Sequence, residues 1–97
     1  MVEHLVLIRW KDSTPQTERL RILTELAALR DVVPGIVHYR VGDNFSERSQ
    51  GYHAAISSTF TDEASLAAYG PHPRHQQIAA QLRTATDSLI VVDFRPL

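Results

Sequence analysis

Residues 2–10, VEHLVLIRW, decide the fold because they predict a strand that is apolar on both faces. The segment is rich in branched residues and too short for a buried helix, which favours a β-strand. Alternate side chains of a strand point to opposite faces of its sheet. One face then carries Leu5 and Leu7, and the other carries Val2, His4, Val6, Ile8 and Trp10. We therefore expect this strand to be covered on both sides.

The next segment predicts an amphipathic helix. Thr14 suits the N-cap position, Pro15 suits the first helical position, and Pro34-Gly35 stops the helix. Between these limits, apolar side chains recur at three- and four-residue steps and form one broad stripe, made by Leu20, Ile22, Leu23, Leu26, Ala27 and Leu29. Such a stripe is typical of a helix that packs on a core.

The remaining segments complete a β-α-β-β-α-β order. They predict strands at 36–44 and 52–60, a helix capped by Thr61 that breaks at Gly70-Pro71 and Pro73, a second helical piece at about 74–86, and a strand at 88–94. This order predicts the ferredoxin-like α+β fold. Helices cover only one face of such a sheet, so an apolar second face indicates an association surface. We expect a homodimer whose sheets pack face to face, which is a dimeric α+β barrel.

The composition favours a small globular protein that binds neither nucleic acid nor membranes. Its 97 residues predict one domain over residues 1–97. Hydrophobic residues make up 43% and charged residues 22%, as in soluble proteins. The net charge is −1, and no apolar run reaches the length of about 20 residues that a membrane span needs. Without cysteine there is no thiolate chemistry, and with a polar N-terminus the expected location is cytoplasmic.

Polar side chains from distant segments are expected to meet at one end of the sheet. In this topology the start of the first strand, the end of the last strand and the start of the second helical region lie together. The candidates there are His4, Tyr69, His72, His75 and Asp93. Between sheet and helices they would form a half-apolar cleft, the usual form of a ligand site.

The stretch AAYGPHPRH, residues 67–75, has a physical rationale as part of such a site. Its two prolines remove backbone donors and break the helix into two pieces, which opens space over the sheet. His75 would lie in the first turn of the new piece, where the helix dipole disfavours imidazolium. A neutral imidazole is what a general base needs. Asp93 would act in the opposite direction by stabilising the charged ring.

Other interpretations of these residues stay open. The Tyr69–His75 unit can be a turn that satisfies backbone partners, and His4 can be a core histidine bonded to Asp93 or to backbone. His72 and His75 can be a metal pair at i, i+3, although Pro73 between them removes regular helical spacing. Outside the cleft, we interpret His38 and His53 as solvated or interface residues, and Trp10 and Phe60 as core or dimer contacts.

Four short motifs, in this order, resemble the stress-responsive A/B barrel (Dabb) family. They are His4-x-Val6, Gly51-Tyr52, Tyr69-x-x-His72-Pro73-x-His75 and Asp93-Phe94. The resemblance spans nearly the whole chain. It implies a dimeric α+β barrel with a cavity between each sheet and its helices. It also implies a relation to plant polyketide cyclases of the olivetolic acid cyclase type, in which the residues matching His75 and Tyr69 carry an aldol cyclisation and those matching His4 and Asp93 lie nearby.

The chain departs from the cyclase pattern on its third strand. Ala54 stands where those enzymes have a further histidine, and the adjacent His53 is expected on the opposite face. One wall of the pocket should therefore be smaller and less polar. We expect ligand contacts from His72, Val6, Ala54 and Ile78.

Three functions follow from these observations. The first is a cofactor-free cyclase or lyase acting on a polyketide-like or other enolisable carbonyl compound, with His75 as base, Tyr69 as orienting group, and His4 and Asp93 in support. The second is a non-enzymatic binding or stress-related homo-oligomer that uses the same barrel. The third, least favoured, is a cofactor-independent monooxygenase of the related antibiotic-biosynthesis barrels. None of them requires a metal.

Overall fold

A computed structural model describes residues 1–97. In chain order the elements are β1 (Val2–Trp10), α1 (Gln16–Ala27) followed by a 3₁₀ turn (Ala28–Asp31), β2 (Ile36–Asp43), β3 (Ala54–Phe60), α2 (Glu63–Tyr69), α3 (Pro73–Ala85) and β4 (Thr86–Phe94). The predicted order of strands and helices is confirmed, and the protein has the ferredoxin-like α+β fold.

The four strands form one antiparallel sheet in the order β2-β3-β1-β4. β1 is a central strand, which explains why it is the most apolar of the four. Its inner face packs with the helices in a core that contains Ile8, Trp10, Ile22, Leu26 and Phe60. Trp10 and Phe60 are almost fully buried in the chain itself, so they are core residues rather than dimer contacts.

The middle of the outer face of β1 and β4 is apolar and open to solvent, between Glu3 and Arg9. Because β1 and β4 pair in register, Leu5 lies opposite Val92, and Leu7 lies opposite Ile90. Leu7 is 37% exposed and Val92 48%, whereas Ile8, which points inward, is 0% exposed. An apolar second face on this strand was predicted, and its exposure in one chain leaves it available to a partner.

The predicted N-cap of the first helix is wrong. The N-cap is Pro15, and it has no side-chain cap hydrogen bond. The Thr14 hydroxyl instead donates to the Ala85 carbonyl oxygen at 2.8 Å, which ties the start of α1 to the end of α3. The α-helix also ends at Ala27, before Pro34-Gly35, because the chain tightens into the 3₁₀ turn.

The start of α2 is also capped differently from the prediction. Asp62, not Thr61, is the N-cap, and its carboxylate accepts from the Ser65 amide at 2.7 Å. The Thr61 amide donates to the Gly35 carbonyl at 2.9 Å. Gly35 has φ +85°, and a Cβ there would lie 2.5 Å from the Ser65 side chain. This close approach fixes α2, and with it Tyr69, over the sheet.

His53 is half-buried and bonded within the chain, so the solvated alternative predicted for it is wrong, and the interface alternative stays a prediction. It lies before β3, and its Nδ1 accepts from the Trp10 amide at 3.0 Å. The pairing of β1 with β3 ends at Ile8 and Ala54, so His53 supplies an acceptor for the Trp10 amide beyond the end of that ladder. His38 is exposed on β2, as predicted. None of the helices combines the length and apolar character needed to cross a membrane.

Candidate functional site

A cavity of about 410 Å³ lies between the inner face of the sheet and helices α2 and α3. Ten of its 15 lining residues are hydrophobic. The sheet contributes an aliphatic wall that includes Val6, Ile56, Leu89 and Val91. Polar side-chain atoms in the lining come from Tyr69, which is one of the ten hydrophobic residues, and from His4, His75, Arg83 and Asp93. The composition is that of a small-molecule pocket, apolar with a few convergent polar groups.

His4 and Asp93 form a pair across neighbouring strands. They are directly opposed in the β1–β4 register, and Nδ1 of His4 hydrogen bonds to Oδ1 of Asp93. The carboxylate only accepts, so Nδ1 carries the proton and Nε2 is the free ring nitrogen of neutral His4. The His4 ring also meets the edge of the Tyr69 ring, with centroids 5.8 Å apart. The pair therefore holds an oriented imidazole beside the phenol.

His75 lies against Tyr69 and is oriented by a backbone carbonyl. The two ring centroids are 4.1 Å apart, and Nδ1 of His75 lies 2.9 Å from the Gly70 carbonyl oxygen. A carbonyl oxygen only accepts, so Nδ1 donates and Nε2 holds the lone pair when the ring is neutral. The helix break predicted from Gly70 and the prolines thus supplies the acceptor that fixes the tautomer.

The pKa of His75 is lowered from its usual 6.5. Partial burial is the main cause, since it penalises the charged ring, and the hydrogen bond to Gly70 acts in the opposite direction. His4, Arg83 and His72 act in the same direction as burial, because a positive charge on any of them would disfavour a charged His75 ring. His75 is therefore neutral at neutral pH, as a general base requires.

Tyr69 shares a hydrogen bond with a second buried tyrosine that the sequence interpretation missed. The hydroxyls of Tyr69 and Tyr39 lie 2.7 Å apart. Burial is the main reason why the pKa of each phenol is raised, so both stay protonated at neutral pH. Tyr39 and Val41 alternate with the polar His38 and Arg40 along β2, and this sequence pattern could have placed Tyr39 on the inner face.

His72 is not part of the cavity lining. It is the N-cap of α3, and its Nδ1 accepts from the Arg74 amide at 3.2 Å. Pro73 is the first residue of α3, and the two histidines on either side of it bond to different backbone groups. His72 accepts from an amide, whereas His75 donates to a carbonyl oxygen. No set of three or more His, Cys, Asp or Glu side chains is arranged to hold a metal ion, and His72 and His75 thus lack a further ligand.

The other predicted ligand contacts divide between the cavity and its surroundings. Val6 lines the cavity. Ala54 is buried outside it, because its partner in β1 is Ile8, further along the strand from His4. Ile78 faces a separate depression between α1 and α3, which it lines with Leu29. The structure thus brings together His4, Tyr69, His75, Asp93 and Val6, and leaves His72, Ala54 and Ile78 outside the lining.

Arg83 is a lining residue that the sequence interpretation did not identify. It follows His75 by two steps of four residues on α3, with Ala79 between them, and all three line the cavity. Positions i, i+4 and i+8 share one helix face, so this spacing could have found it.

Comparison with known proteins supports one family and one fold. The family model described as Stress Responsive A/B Barrel Domain matches residues 2–96. Olivetolic acid cyclase from Cannabis sativa is 21% identical over 97 residues, which cover 98% of this chain and 96% of that protein.

Two solved structures are similar over nearly their whole length. A dimeric ferredoxin-like protein of unknown function from a Jannaschia species is 30% identical, with a TM-score of 0.85 and coverage of 98% of both chains. The hydroxynitrile lyase from Passiflora edulis is 22% identical, with a TM-score of 0.88 and coverage of 96% of this chain and 90% of that one. At that identity, the second likeness shows the fold alone.

Proposed function

The chain belongs to the stress responsive A/B barrel domain family, and from that premise we propose that it is a homodimer whose cavity catalyses cofactor-free proton transfer on a small enolisable carbonyl compound. The reaction would be of the cyclase or lyase type. The observation that carries the proposal is His75, a neutral imidazole in an apolar cavity whose Nδ1 is bonded to Gly70 and whose Nε2 is free.

The chemistry that suits this arrangement is enolisation. Nε2 of His75 takes the proton from the carbon next to a carbonyl, and the C–H electron pair becomes the enolate. In a cyclase the enolate carbon attacks a second carbonyl of the same molecule, and the new alkoxide takes the proton back from His75. In a lyase the sequence runs backwards and the C–C bond breaks. The proton and the electron pair are both accounted for, and the steps need no cofactor.

The remaining polar side chains would support this base. If the Tyr39 hydroxyl donates to the Tyr69 oxygen, the Tyr69 hydroxyl is free to donate to the carbonyl oxygen of the ligand, where negative charge develops. His4, held by Asp93, presents Nε2 beside Tyr69 as a second group able to hold a proton. The aliphatic wall keeps water away and strengthens these contacts.

The comparison with a curated relative supports the cyclase type, because a similar protein is named olivetolic acid cyclase. The lyase type is the same chemistry in reverse. Dimerisation through the outer face is supported by its exposed Leu7, Ile90 and Val92, and by the dimeric description of the Jannaschia protein.

A non-enzymatic binding or stress-related homo-oligomer is the second candidate. One observation favours it: every buried side-chain nitrogen and oxygen has a hydrogen-bond partner, including the two phenols. The polar cluster is therefore satisfied without a ligand and could serve stability alone. The monooxygenase is favoured least, because the family model that matches is that of the stress responsive barrels.

Deuterium exchange tests the enzymatic proposal without knowledge of the natural substrate. Aryl methyl ketones and 3-oxo esters are incubated in D₂O with the protein, and loss of the α-proton signal is followed by NMR. We expect the protein to accelerate exchange, and we expect His75→Ala to lower the catalysed rate by a factor of about 10²–10⁴. His72→Asn is the matched control, because it changes a histidine outside the cavity and asparagine is also a good N-cap.

Two outcomes would contradict the proposal. Exchange at the buffer rate with the wild-type protein would favour the non-enzymatic candidate. Equal acceleration by the wild type and His75→Ala would show that another group is the base.

A further inference from the structure

Arg83 is an exposed residue of the cavity lining, and no protein group neutralises its permanent positive charge. The ion pairs of the protein involve Arg21, Arg95 and His4, and Arg83 takes part in none of them. Its guanidinium also makes no hydrogen bond to another protein group, although an arginine carries five N–H donors.

The acidic side chain of the lining that could pair with Arg83 already bonds to another residue. Asp93 is the one carboxylate in the lining, and it is bonded to His4 rather than to Arg83. The polar lining therefore consists of a satisfied His4–Asp93 pair, the partly satisfied Tyr69 and His75, and one unpaired guanidinium. With His4 and His75 neutral, Asp93 and Arg83 are the two charged groups of the lining, and they are not bonded to each other. The Arg83 guanidinium therefore keeps its N–H donors for a ligand.

The position of Arg83 relates it to the base. Its Cα lies about 12 Å from that of His75 along the helix axis, at about 1.5 Å per residue. Helical side chains lean towards the N-terminus, so the long Arg83 side chain reaches back towards His75 and shortens this separation. The effect of Arg83 on the pKa of His75 is consistent with that proximity. A ligand group paired with Arg83 would hold the rest of the ligand beside the base.

We propose that the cavity binds enolisable carbonyl compounds that carry a carboxylate, and that Arg83 pairs with this carboxylate and positions the reactive carbon at His75. The inference rests on the proposed function and names its substrate class. A carboxylate fits better than a phosphate, because one planar guanidinium matches a carboxylate in a two-bond fork. A phosphate has more acceptor oxygens, and the lining offers no second permanent cation for them.

Two probes of the same shape and different charge test the inference. 2,4-Dihydroxybenzoate and its neutral amide, 2,4-dihydroxybenzamide, are titrated into the protein while the His75 ring signals are followed by NMR. We expect the wild type to bind the acid about tenfold or more tightly than the amide, as a charge-assisted pair would give. Arg83→Gln should abolish this preference, because it should weaken binding of the acid far more than binding of the amide.

Arg74→Gln is the matched control. Arg74 is on the same helix, makes no ion pair, and lines the separate depression between α1 and α3. It should keep the full preference for the acid. Circular dichroism of both variants checks that the fold survives.

The outcomes separate failure of this inference from failure of the proposed function. Equal binding of acid and amide by the wild type, or a preference that survives Arg83→Gln, overturns the inference. If neither probe binds, the inference also fails, and α-proton exchange of a neutral ketone decides the rest. Exchange catalysed by the wild type would leave the proposed function standing, and its absence would overturn both.

Discussion

The two faces of β1 differ in what they contact, although their residues alternate along one segment. On the inner face, Val6 and Ile8 are buried by the helices of the same chain, and His4 meets Tyr69. On the outer face, Leu5 and Leu7 have no such cover, and they continue across the sheet into Ile90 and Val92. The inner face combines core and polar cavity, whereas the outer face around these residues is apolar.

This difference shows how a small protein can contain a polar site within its core. Polar groups on the inner face are stable because each finds a partner, as His4 does in Asp93. The outer face has the opposite property, since its free energy falls only when another apolar surface covers it. We therefore expect substitutions on the outer face to change assembly, and substitutions on the inner face to change stability, ligand binding or chemistry.

The largest expected effect is loss of the dimer when a charge enters the outer face. Leu7→Arg would place an unpaired charge within an interface between two apolar sheets, and two copies would bring like charges together. Such burial costs several kcal/mol, so dimerisation should weaken by about a hundredfold or more. Sedimentation velocity measures the change.

The control for this substitution is Val32→Arg, which adds the same charge at an exposed apolar residue after the 3₁₀ turn. It should leave the association state unchanged. A Leu7→Arg protein that remains fully dimeric would refute the assignment of the outer face as the interface.

A smaller effect is expected from removing one hydroxyl of the buried tyrosine pair on the inner face. Tyr39→Phe leaves the Tyr69 hydroxyl without its partner, which should lower the free energy of unfolding by about 1–3 kcal/mol. Urea denaturation measures it. Tyr52→Phe is the control, because the bond of Tyr52 to Ser88 is only partly buried and its loss should cost less.

The double variant Tyr39→Phe/Tyr69→Phe sharpens this test. Removing both hydroxyls leaves no polar group without a partner. The double variant should therefore lose less free energy of unfolding than the sum of the losses in the two single variants. Simple additivity of the two effects would show that the hydroxyls do not act as a pair.

The smallest effect is expected in the dependence of stability on pH. The pKa of His75 is lowered in the folded protein, so below its usual 6.5 the unfolded chain binds a proton that the folded chain resists. Stability should therefore fall as the pH drops below about 6.5 and should gain nothing from this group at higher pH. The cavity lining also contains an acidic group, Asp93, which is bonded to His4. The contribution of His75 is therefore isolated by comparing the stability of the wild type with that of a His75 variant.

That difference is the urea midpoint of the wild type minus that of His75→Gln, measured from about pH 5 to pH 8. Relative to the wild type, His75→Gln should become progressively more stable as the pH falls, and His72→Asn should behave like the wild type. A difference that does not change with pH would mean that the ring is not resisting protonation.

Much of the site could be anticipated because it depends on topology and local chain geometry. Antiparallel pairing of the first and last strands was enough to bring His4 near Asp93, and the structure opposes them directly. The prolines around His72 were enough to predict a helix break, and the break supplies the Gly70 carbonyl that orients His75. The roles of these residues in catalysis stay predictions.

Other features depend on contacts between side chains that are distant in sequence. The Tyr39–Tyr69 bond joins residues 30 positions apart. His53 accepts from the Trp10 amide because the pairing of β1 with β3 has already ended there, which no local pattern shows. Ile78 has the right periodicity for a helix face, but α1 occupies that side, so Ile78 faces a different depression from the cavity.

The sequence by itself determined the order of elements, the two apolar faces of β1 and the helix break before His75. These follow from residue periodicity and from the fixed geometry of proline, which act over a few residues. Only the tertiary structure decided which polar atoms satisfy one another: Asp93 with His4, Tyr39 with Tyr69, and no protein group with Arg83. Hydrogen bonds depend on tenths of an ångström and on direction, and only the packed chain fixes these.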